Sequence, residues 1–383
     1  MMRKSFLLTA VLCLDFPAAA AELAVEPIPH VLSLPADYPP DWLFVHDGNF
    51  FGMQSGKIVL VDVAAQSRHY KAMIGASLFG NFAEAKTRPE IYVAETFYSR
   101  GWRGERTDVI SIYDKASLAV TGEIVLPGGK RGQFLTEKGA FQLSADERFA
   151  FLFNFTPAAS VTVIDLAARR ILNDIDIPGC AQVFPTGRRS FSSLCGNGTL
   201  VTLRLDETGK VVEQVVSAAF NDLDEDPLFT RPAAIGRTLY FPSYKGRIQP
   251  IDFAGDVPVI ADAWDLAHGE DAVQNWRPSG WQLASSDKAG RLYVLMRPQT
   301  REGEHDSGGP EVWVYDAAAA TRVQRITLHM DGVSIEATAS AKPLLAVVRA
   351  DMALDVYDGQ SGEWLRTIGG QLALTPFALF AVK

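Results

Sequence analysis

The sequence predicts an all-β fold, a seven-bladed β-propeller with four antiparallel strands per blade, and two observations carry this prediction. The first is that Cys180–Ser217 contains four short β segments separated by turns, one of which includes Asn197-Gly198. Asn-Gly favours a tight hairpin because both residues tolerate positive φ. The second is that the third strand of this unit and its closing aspartate recur seven times, at intervals of 41 to 64 residues, in Asp62, Asp114, Asp165, Asp206, Asp252, Asp316 and Asp358. A period of roughly 40–50 residues with four strands per unit is typical of propeller blades.

The seven aspartates are predicted to be structural rather than catalytic. Each one follows a β segment and opens a turn, where a carboxylate can accept backbone N–H groups of the next few residues. We therefore expect them to shape turns at seven equivalent places.

The N-terminus has the pattern of a secretory signal peptide. Arg3 and Lys4 precede an apolar run, Ser5–Leu14, and small residues suited to cleavage follow at Ala18–Ala21. The predicted organisation is a signal peptide over 1–21, an extended proline-rich arm over 22–40 and the propeller over 41–383. This pattern predicts export to the periplasm.

Composition excludes two classes of partner. The net charge is −9 and no basic stripe is present, which argues against nucleic acid and against anionic membrane surfaces. Beyond the leader, no apolar stretch is long enough to cross a membrane. Length alone would suggest two domains, but the repeat favours a single closed body.

Two of the three cysteines, Cys180 and Cys195, fall on adjacent strands of one predicted hairpin, and the third lies in the leader. Cross-strand distances suit a disulfide, and an oxidising compartment favours one. We therefore expect a structural disulfide between them rather than a metal or redox site.

The ends of the chain are predicted to pair. The first blade begins with what looks like a second strand, Trp42–Val45, and lacks an innermost strand, whereas Leu372–Val382 is a strand without partners of its own. Placing the C-terminal strand inside the N-terminal blade would close the ring and remove both free edges.

The long connections predict which face of the propeller is functional. They join strands two and three of a blade, or one blade and the next, and these two classes emerge on the same side. Because function concentrates on elaborated loops, we expect this side to contact the partner or substrate. The long connections are Thr96–Asp108, Gly128–Gly139, Ala218–Arg231, Ala267–Gln282 and Arg297–Pro310.

No catalytic or metal motif accompanies this fold. The acidic run Asp222–Asp226 resembles the start of a calcium loop, but Pro227 and Ala233 occupy the positions of its glycine and closing glutamate. Glu304-His305-Asp306 has no second histidine near it in the sequence. No metal site is predicted, and no set of residues supplies a nucleophile, a base and an oxyanion donor together.

Aromatic and charged residues on the long connections are the candidate functional residues. Phe50 and Phe51 lie between strands two and three of the first blade, where local packing is the alternative interpretation. Tryptophan and arginine are enriched at interface hot spots. The predicted partner contacts are Trp102, Arg103, Glu105, Arg106, Trp276, Arg277 and Trp281.

Five stretches, in this order and spacing, resemble the heavy subunit of the tryptophan tryptophylquinone amine dehydrogenases. They are Arg103–Asp108, Phe155–Asp165, the Cys180–Cys195 hairpin with Phe184-Pro-Thr-Gly, Trp276–Gln282 and Lys342–Leu345. The resemblance covers nearly the whole chain after the leader. It favours the methylamine branch of the family, with the aromatic-amine branch as the alternative.

The resemblance implies a periplasmic assembly of two heavy and two light subunits. The small, cysteine-rich light subunit carries the tryptophan tryptophylquinone and the catalytic base, so this chain is expected to hold no cofactor and no catalytic residue. A primary amine is oxidised to aldehyde and ammonia, and electrons pass to a blue copper protein of amicyanin or azurin type. The heavy subunit lends a phenylalanine, matching Phe50 or Phe51, to the substrate channel, and its disulfide matches Cys180 and Cys195.

Two functions outside this family are also compatible with the sequence. A free-standing lactonase or hydrolase would need a metal or an acid–base pair at the central channel. A propeller that acts as a binding module would need neither.

Overall fold

The computed structural model describes residues 33–369 and 372–383, so the predicted signal peptide and most of the arm lie outside the described residues. Leu34–Lys383 forms one compact unit. Among the described residues, its regular secondary structure is almost entirely antiparallel strand, with two short 3₁₀ turns at Met53–Ser55 and Lys138–Ala140 and a single helical turn, α1 (Glu270–Val273). Among these residues no helix has the length and apolarity needed to cross a membrane.

The first two blades each have four strands. The first has the order β29-β1-β2-β3 and the second β4-β5-β6-β7. Their bounds are β1 Trp42–Asp47, β2 Lys57–Asp62, β3 Tyr70–Gly75, β29 Pro376–Ala381, β4 Asn81–Glu84, β5 Glu90–Tyr98, β6 Arg106–Asp114 and β7 Val120–Val125.

The next three blades repeat the pattern, and the fifth has an additional short strand, β20, paired with β18. Their bounds are β8 Phe141–Leu143, β9 Phe149–Asn154, β10 Ser160–Asp165, β11 Arg170–Asp176, β12 Cys180–Thr186, β13 Ser190–Cys195, β14 Leu200–Leu205, β15 Val211–Val216, β16 Ala233–Ile235, β17 Thr238–Pro242, β18 Arg247–Asp252, β19 Val259–Ile260 and β20 Trp264–Asp265.

The last strands form one continuous eight-stranded sheet. They are β21 Arg277–Pro278, β22 Ala284–Ser286, β23 Arg291–Arg297, β24 Gly309–Asp316, β25 Thr321–Ala337, β26 Leu344–Arg349, β27 Leu354–Asp358 and β28 Trp364–Ile368. The 17-residue β25 pairs with β24 along its first half and with β26 along its second half.

The prediction of seven separate blades is therefore wrong. Five separate blades of four or five strands are present among the described residues, and the chain that follows them is a single sheet. The strands that follow the fifth blade form one sheet because β25 is a single long strand. Its backbone hydrogen-bonds to β24 and to β26, which were expected to belong to different blades.

The predicted pairing of the chain ends is confirmed. β29 lies antiparallel to β1, with Val45 opposite Leu379, and both side chains are fully buried. Nearby, the described end of the arm packs onto the first blades, where the hydroxyl of Tyr38 donates to the carbonyl of Lys115 at 2.6 Å.

The roles predicted for the aspartates and cysteines are also confirmed. The sulfurs of Cys180 and Cys195 are bonded, and the two residues lie directly opposite in the β12–β13 hairpin. Each of the seven recurring aspartates accepts a backbone N–H from a residue two to four positions ahead: Asp62, Asp114, Asp165, Asp206, Asp252, Asp316 and Asp358.

The middle strands of the blades are buried on both faces because neighbouring sheets cover them. All six residues of β9 are buried, although a half-exposed strand would alternate. Outer strands differ, since every residue of β15 is at least partly exposed. The core therefore lies between sheets, and the connections remain available for function.

We expect Leu379→Ala to destabilise the protein by roughly 2–5 kcal/mol, because it leaves a cavity in the sheet that joins the chain ends. Urea unfolding would measure the loss. Leu365→Ala is the matched control, since Leu365 is 37% exposed on the outer strand β28 and its truncation should cost little. Equal losses in the two variants would contradict this account of ring closure.

Candidate functional site

The long connections contact one another and form one surface, which we call the loop face. It comprises the connections 48–56, 76–80, 99–105, 126–137, 217–232, 266–283, 298–308 and the described part of 369–375. Hydrogen bonds cross between them: Gly280 N–H donates to the carbonyl of His305 at 2.8 Å, and the Thr230 hydroxyl donates to Glu137 at 2.7 Å. These contacts support the prediction that both classes of connection emerge on one side.

The connection that carries Phe50 and Phe51 is fastened to the C-terminal segment. The buried Asp47, at the end of β1, accepts the backbone N–H groups of Asn49, Leu374 and Thr375, each at 2.9 Å. Phe50 N–H donates to the Thr375 hydroxyl at 3.1 Å. One carboxylate therefore fixes the start of the loop and the approach to β29 together.

The two phenylalanines occupy different environments. The Phe50 ring is 41% exposed, stacks on Phe377 with centroids 5.1 Å apart and meets Phe79 edge-on at 5.8 Å. Phe51 is 87% exposed. Phe50 is therefore anchored by its neighbours, and Phe51 projects from the surface.

Trp281 continues the line of rings that begins at Phe50. Its ring lies perpendicular to Phe377 at 6.4 Å, and the Arg231 guanidinium sits 4.3 Å above its centroid. Arg231 also lies 5.8 Å from the Phe229 ring. We call Phe79, Phe50, Phe377, Trp281, Arg231 and Phe229 the aromatic row.

Arg231 is held mainly by these ring faces. Its Nε and Nη1 are buried without a hydrogen-bond partner among the described residues, and Nη2 lies 3.4 Å from Asp306. Cation–π contacts to Trp281 and Phe229 compensate in part for the missing acceptors. The Arg231 guanidinium therefore helps to fix the position of the Trp281 indole.

The turn that carries Trp102 lies beside the Phe51 loop. Arg100 N–H donates to the carbonyl of Arg103 at 3.0 Å, and Gly104 has φ +99° with Ser99 so close that a Cβ would clash. The side chain of Gln54 approaches Gly101 of this turn. Glycine is thus required for a turn that leaves Trp102 58% exposed.

Some charged side chains of the Trp102 turn are exposed, and others are hydrogen-bonded within the protein. Arg103 and Glu105 are exposed. Arg106 instead donates to the carboxylate of Asp108 at 2.9 Å and to the carbonyl of Arg131 at 2.7 Å. Arg106 thus also supports the neighbouring loop.

Trp276 and Arg277 lie apart from the aromatic row. Trp276 is 6% exposed and packs on Trp313 at 5.1 Å, so its indole supports the sheet and offers little contact surface. Arg277 lies over the Tyr244 ring at 5.2 Å. It borders an open depression of about 900 Å³ that also includes Arg231 and His305.

Buried polar groups hold the loop face from beneath. Arg131 is 2% exposed and donates to the Thr96 hydroxyl at 3.0 Å, Asn81 Oδ1 at 3.2 Å and the carbonyl of Leu78 at 2.7 Å. Burial lowers its pKa to about 10. Burial likewise lowers the pKa of His46 to about 4, so this imidazole is neutral at physiological pH.

Two residues that line a cavity of about 500 Å³, Lys138 and Glu336, form an ion pair. Lys138 Nζ lies 2.8 Å from Glu336 Oε2, which also accepts from Gln282 Nε2 at 2.6 Å. No cluster of three or more histidine, cysteine, aspartate or glutamate side chains suited to a metal occurs within residues 33–369 and 372–383.

Sequence reasoning missed four residues of the aromatic row: Phe79, Phe229, Arg231 and Phe377. Each lies at or near the end of a connection, and their proximity depends on contacts between residues far apart in the chain. The one available signal was the predicted pairing of the C-terminal strand with the first blade, which would place Phe377 near the Phe50 loop.

Comparison with known proteins matches residues 42–381 to the family model described as methylamine dehydrogenase heavy chain. The methylamine dehydrogenase heavy chain of Methylobacillus flagellatus is 30% identical over 265 residues, covering 67% of this chain and 64% of that protein. That of Paracoccus versutus is 29% identical over 279 residues, covering 72% and 65%. The alignments thus span slightly less than two thirds of the length of these two relatives.

Solved structures support the fold alone. A protein from Lactobacillus plantarum has a TM-score of 0.57 at 12% identity, covering 89% of this chain and 98% of that one. Dihydro-heme d1 dehydrogenase NirN in complex with DHE has a TM-score of 0.52 at 16% identity, covering 91% and 78%.

The lowered pKa of His46 predicts a pH-dependent stability. Between pH 6.5 and 4 the unfolded chain binds a proton at this histidine that the folded chain does not. Stability from this site is complete above pH 6.5 and falls as the pH is lowered to 4, by roughly 3 kcal/mol. Asp47 and Arg131 are the charged groups acting on it.

Urea unfolding at several pH values would check this. Because carboxylates titrate in the same window, the comparison is between the wild type and His46→Gln, whose stability should vary less over that range. Identical pH profiles would contradict the assignment.

Proposed function

The chain belongs to the methylamine dehydrogenase heavy chain family, and on that premise we propose that it is the heavy subunit of a periplasmic quinoprotein amine dehydrogenase. In this proposal its loop face holds a quinone-bearing light subunit and forms part of the substrate channel. The observation that carries the proposal is the aromatic row, which includes a half-exposed Phe50 beside the projecting Phe51.

The proposed reaction oxidises a primary amine, methylamine in the preferred version, to an aldehyde and ammonia. The tryptophan tryptophylquinone of the light subunit supplies the electron-accepting chemistry, and a blue copper protein of amicyanin or azurin type receives the electrons. The residues of this chain would bind the light subunit, exclude water and limit the space beside the reacting carbon. An aromatic amine is the alternative substrate.

We assign different roles to the two phenylalanines. Phe51, at 87% exposure, has the reach to enter the interface and line the channel. Phe50, held between Phe377 and Phe79, supports it. Exposed apolar side chains of this size are typical of surfaces that a partner covers.

The proposed interface extends from Phe51 to the adjacent Trp102 turn. Trp102, Arg103 and Glu105 offer exposed contact surface, and Arg106 supports them through Asp108. Trp281 continues it within the row, and Arg277 extends it at the depression that it borders together with Arg231. Trp276 contributes indirectly, through the packing of the sheet beneath.

Purification of the tagged mature chain from its native periplasm tests the assembly. We expect a small cysteine-rich protein to accompany it, with quinone absorbance that bleaches when methylamine is added. Bleaching only with aromatic amines would assign the chain to the aromatic-amine branch of the family. A colourless chain that purifies alone would contradict the proposal and favour a binding module.

Trp102→Ala and Trp281→Ala should each weaken binding of the light subunit about tenfold or more, because tryptophans that a partner covers are frequent hot spots of an interface. Titration of the light subunit would measure the change. Trp364→Ala is the matched control, since Trp364 is 42% exposed on the outer strand β28, away from the loop face. Unchanged affinity in both test variants would overturn the interface assignment.

A further inference from the structure

Phe377 is the point where the two ends of the chain meet the proposed channel. It is the second residue of β29, and its ring lies between those of Phe50, 5.1 Å away, and Trp281, 6.4 Å away. The planes of Phe377 and Phe50 are inclined by 21°, so the two rings stack. One face of the Phe50 ring is therefore covered by another phenylalanine.

The backbone around Phe377 also controls the Phe50 loop. Thr375 receives the Gly48 N–H on its carbonyl at 3.1 Å and the Phe50 N–H on its hydroxyl at 3.1 Å. Asp47 joins the two segments from the other side. The loop is thus held at two places, by hydrogen bonds to Thr375 and by the ring of Phe377.

We infer that Phe377 is a positioning residue for amine selectivity, which acts by fixing the Phe50 ring and with it the direction in which Phe51 projects. This inference rests on the proposed function, since it concerns the same channel. Phe377 itself is not placed against the amine.

A planar ring is needed at this position for a geometric reason. Stacked aromatic rings constrain both the distance and the inclination of their partner, whereas an aliphatic side chain constrains mainly the distance. Loss of the stack frees the Phe50 ring to tilt towards the space that Phe377 occupied. Because one methylene in an apolar pocket changes selectivity roughly tenfold or more, a shift of this size should be visible with small amines.

The test uses the assembled enzyme with Phe377→Tyr, Phe377→Leu and Phe377→Ala, and the substrates methylamine, ethylamine, propylamine and butylamine. We expect the ratio of kcat/KM for methylamine to that for butylamine to fall about tenfold in Phe377→Ala and Phe377→Leu, mainly through KM. Phe377→Tyr keeps the ring and should retain the wild-type ratio. Trp364→Ala is the control and should also retain it.

A double-mutant cycle separates positioning from general damage. If Phe377 acts through Phe50 and its loop, Phe377→Ala should add little to the selectivity change in Phe50→Ala. Fully additive effects, or an unchanged ratio in Phe377→Leu and Phe377→Ala, would overturn the inference.

Amide hydrogen exchange of the isolated heavy chain tests whether Phe377 positions the loop, and this test does not depend on the proposed function. Amides of residues 48–56 should exchange faster in Phe377→Ala and Phe377→Leu and at the wild-type rate in Phe377→Tyr. If the wild-type assembly oxidises no amine, the proposed function fails, and this exchange still decides whether Phe377 positions the loop. Unchanged exchange in the two ring-deleted variants would rule out the positioning role.

Discussion

The antiparallel pairing of β29 with β1 is the contact on which the rest of the structure depends. It joins residues more than 330 positions apart, such as Val45 and Leu379. Closing a flexible loop of that length costs roughly 5 kcal/mol of chain entropy, apart from a constant, by the logarithmic estimate. Buried side chains on both strands offset this cost, and the pairing covers the inner edge that the first blade would otherwise expose.

Ring closure and site formation are therefore one event. The strand that completes the first blade also delivers Thr375 and Phe377 to the loop that carries Phe50. A destabilised closure would loosen the aromatic row even if every blade kept its internal hydrogen bonds. Under the proposed function, stability and amine selectivity are therefore coupled, because this one segment contributes to both ring closure and the channel.

Local sequence patterns correctly predicted the structural features that depend on residues close together in the chain. Each recurring aspartate bonds to a backbone N–H two to four positions ahead, so a short window contains both partners. The cysteines of the β12–β13 hairpin are likewise separated by only 15 residues. In these cases the residue types and the turn between them determine the geometry.

The failures arise where geometry depends on distant parts of the chain. The number of separate blades was wrong because β25 pairs with both β24 and β26 and so joins strands that were expected to belong to separate blades. Trp276 was predicted as a contact residue from its type and connection, but the Trp313 ring of another strand covers it. Phe377 and Arg231 were missed because their partners lie elsewhere in the sequence.

The ionisable groups beneath the loop face have a structural explanation. Perturbed pKa values often mark catalytic sites, and His46, Arg131 and Glu95 all have one. Burial is the largest cause in each case. Glu95 accepts the Ser77 N–H and the Ser111 hydroxyl, and Arg131 donates to the Leu78 carbonyl and to Asn81 Oδ1.

These buried groups hold the connections in place, and the connections present the partly exposed ring of Phe50 beside the projecting Phe51. Such a surface can shape a channel and bind a partner. This arrangement agrees with the proposed function, in which another subunit supplies the chemistry.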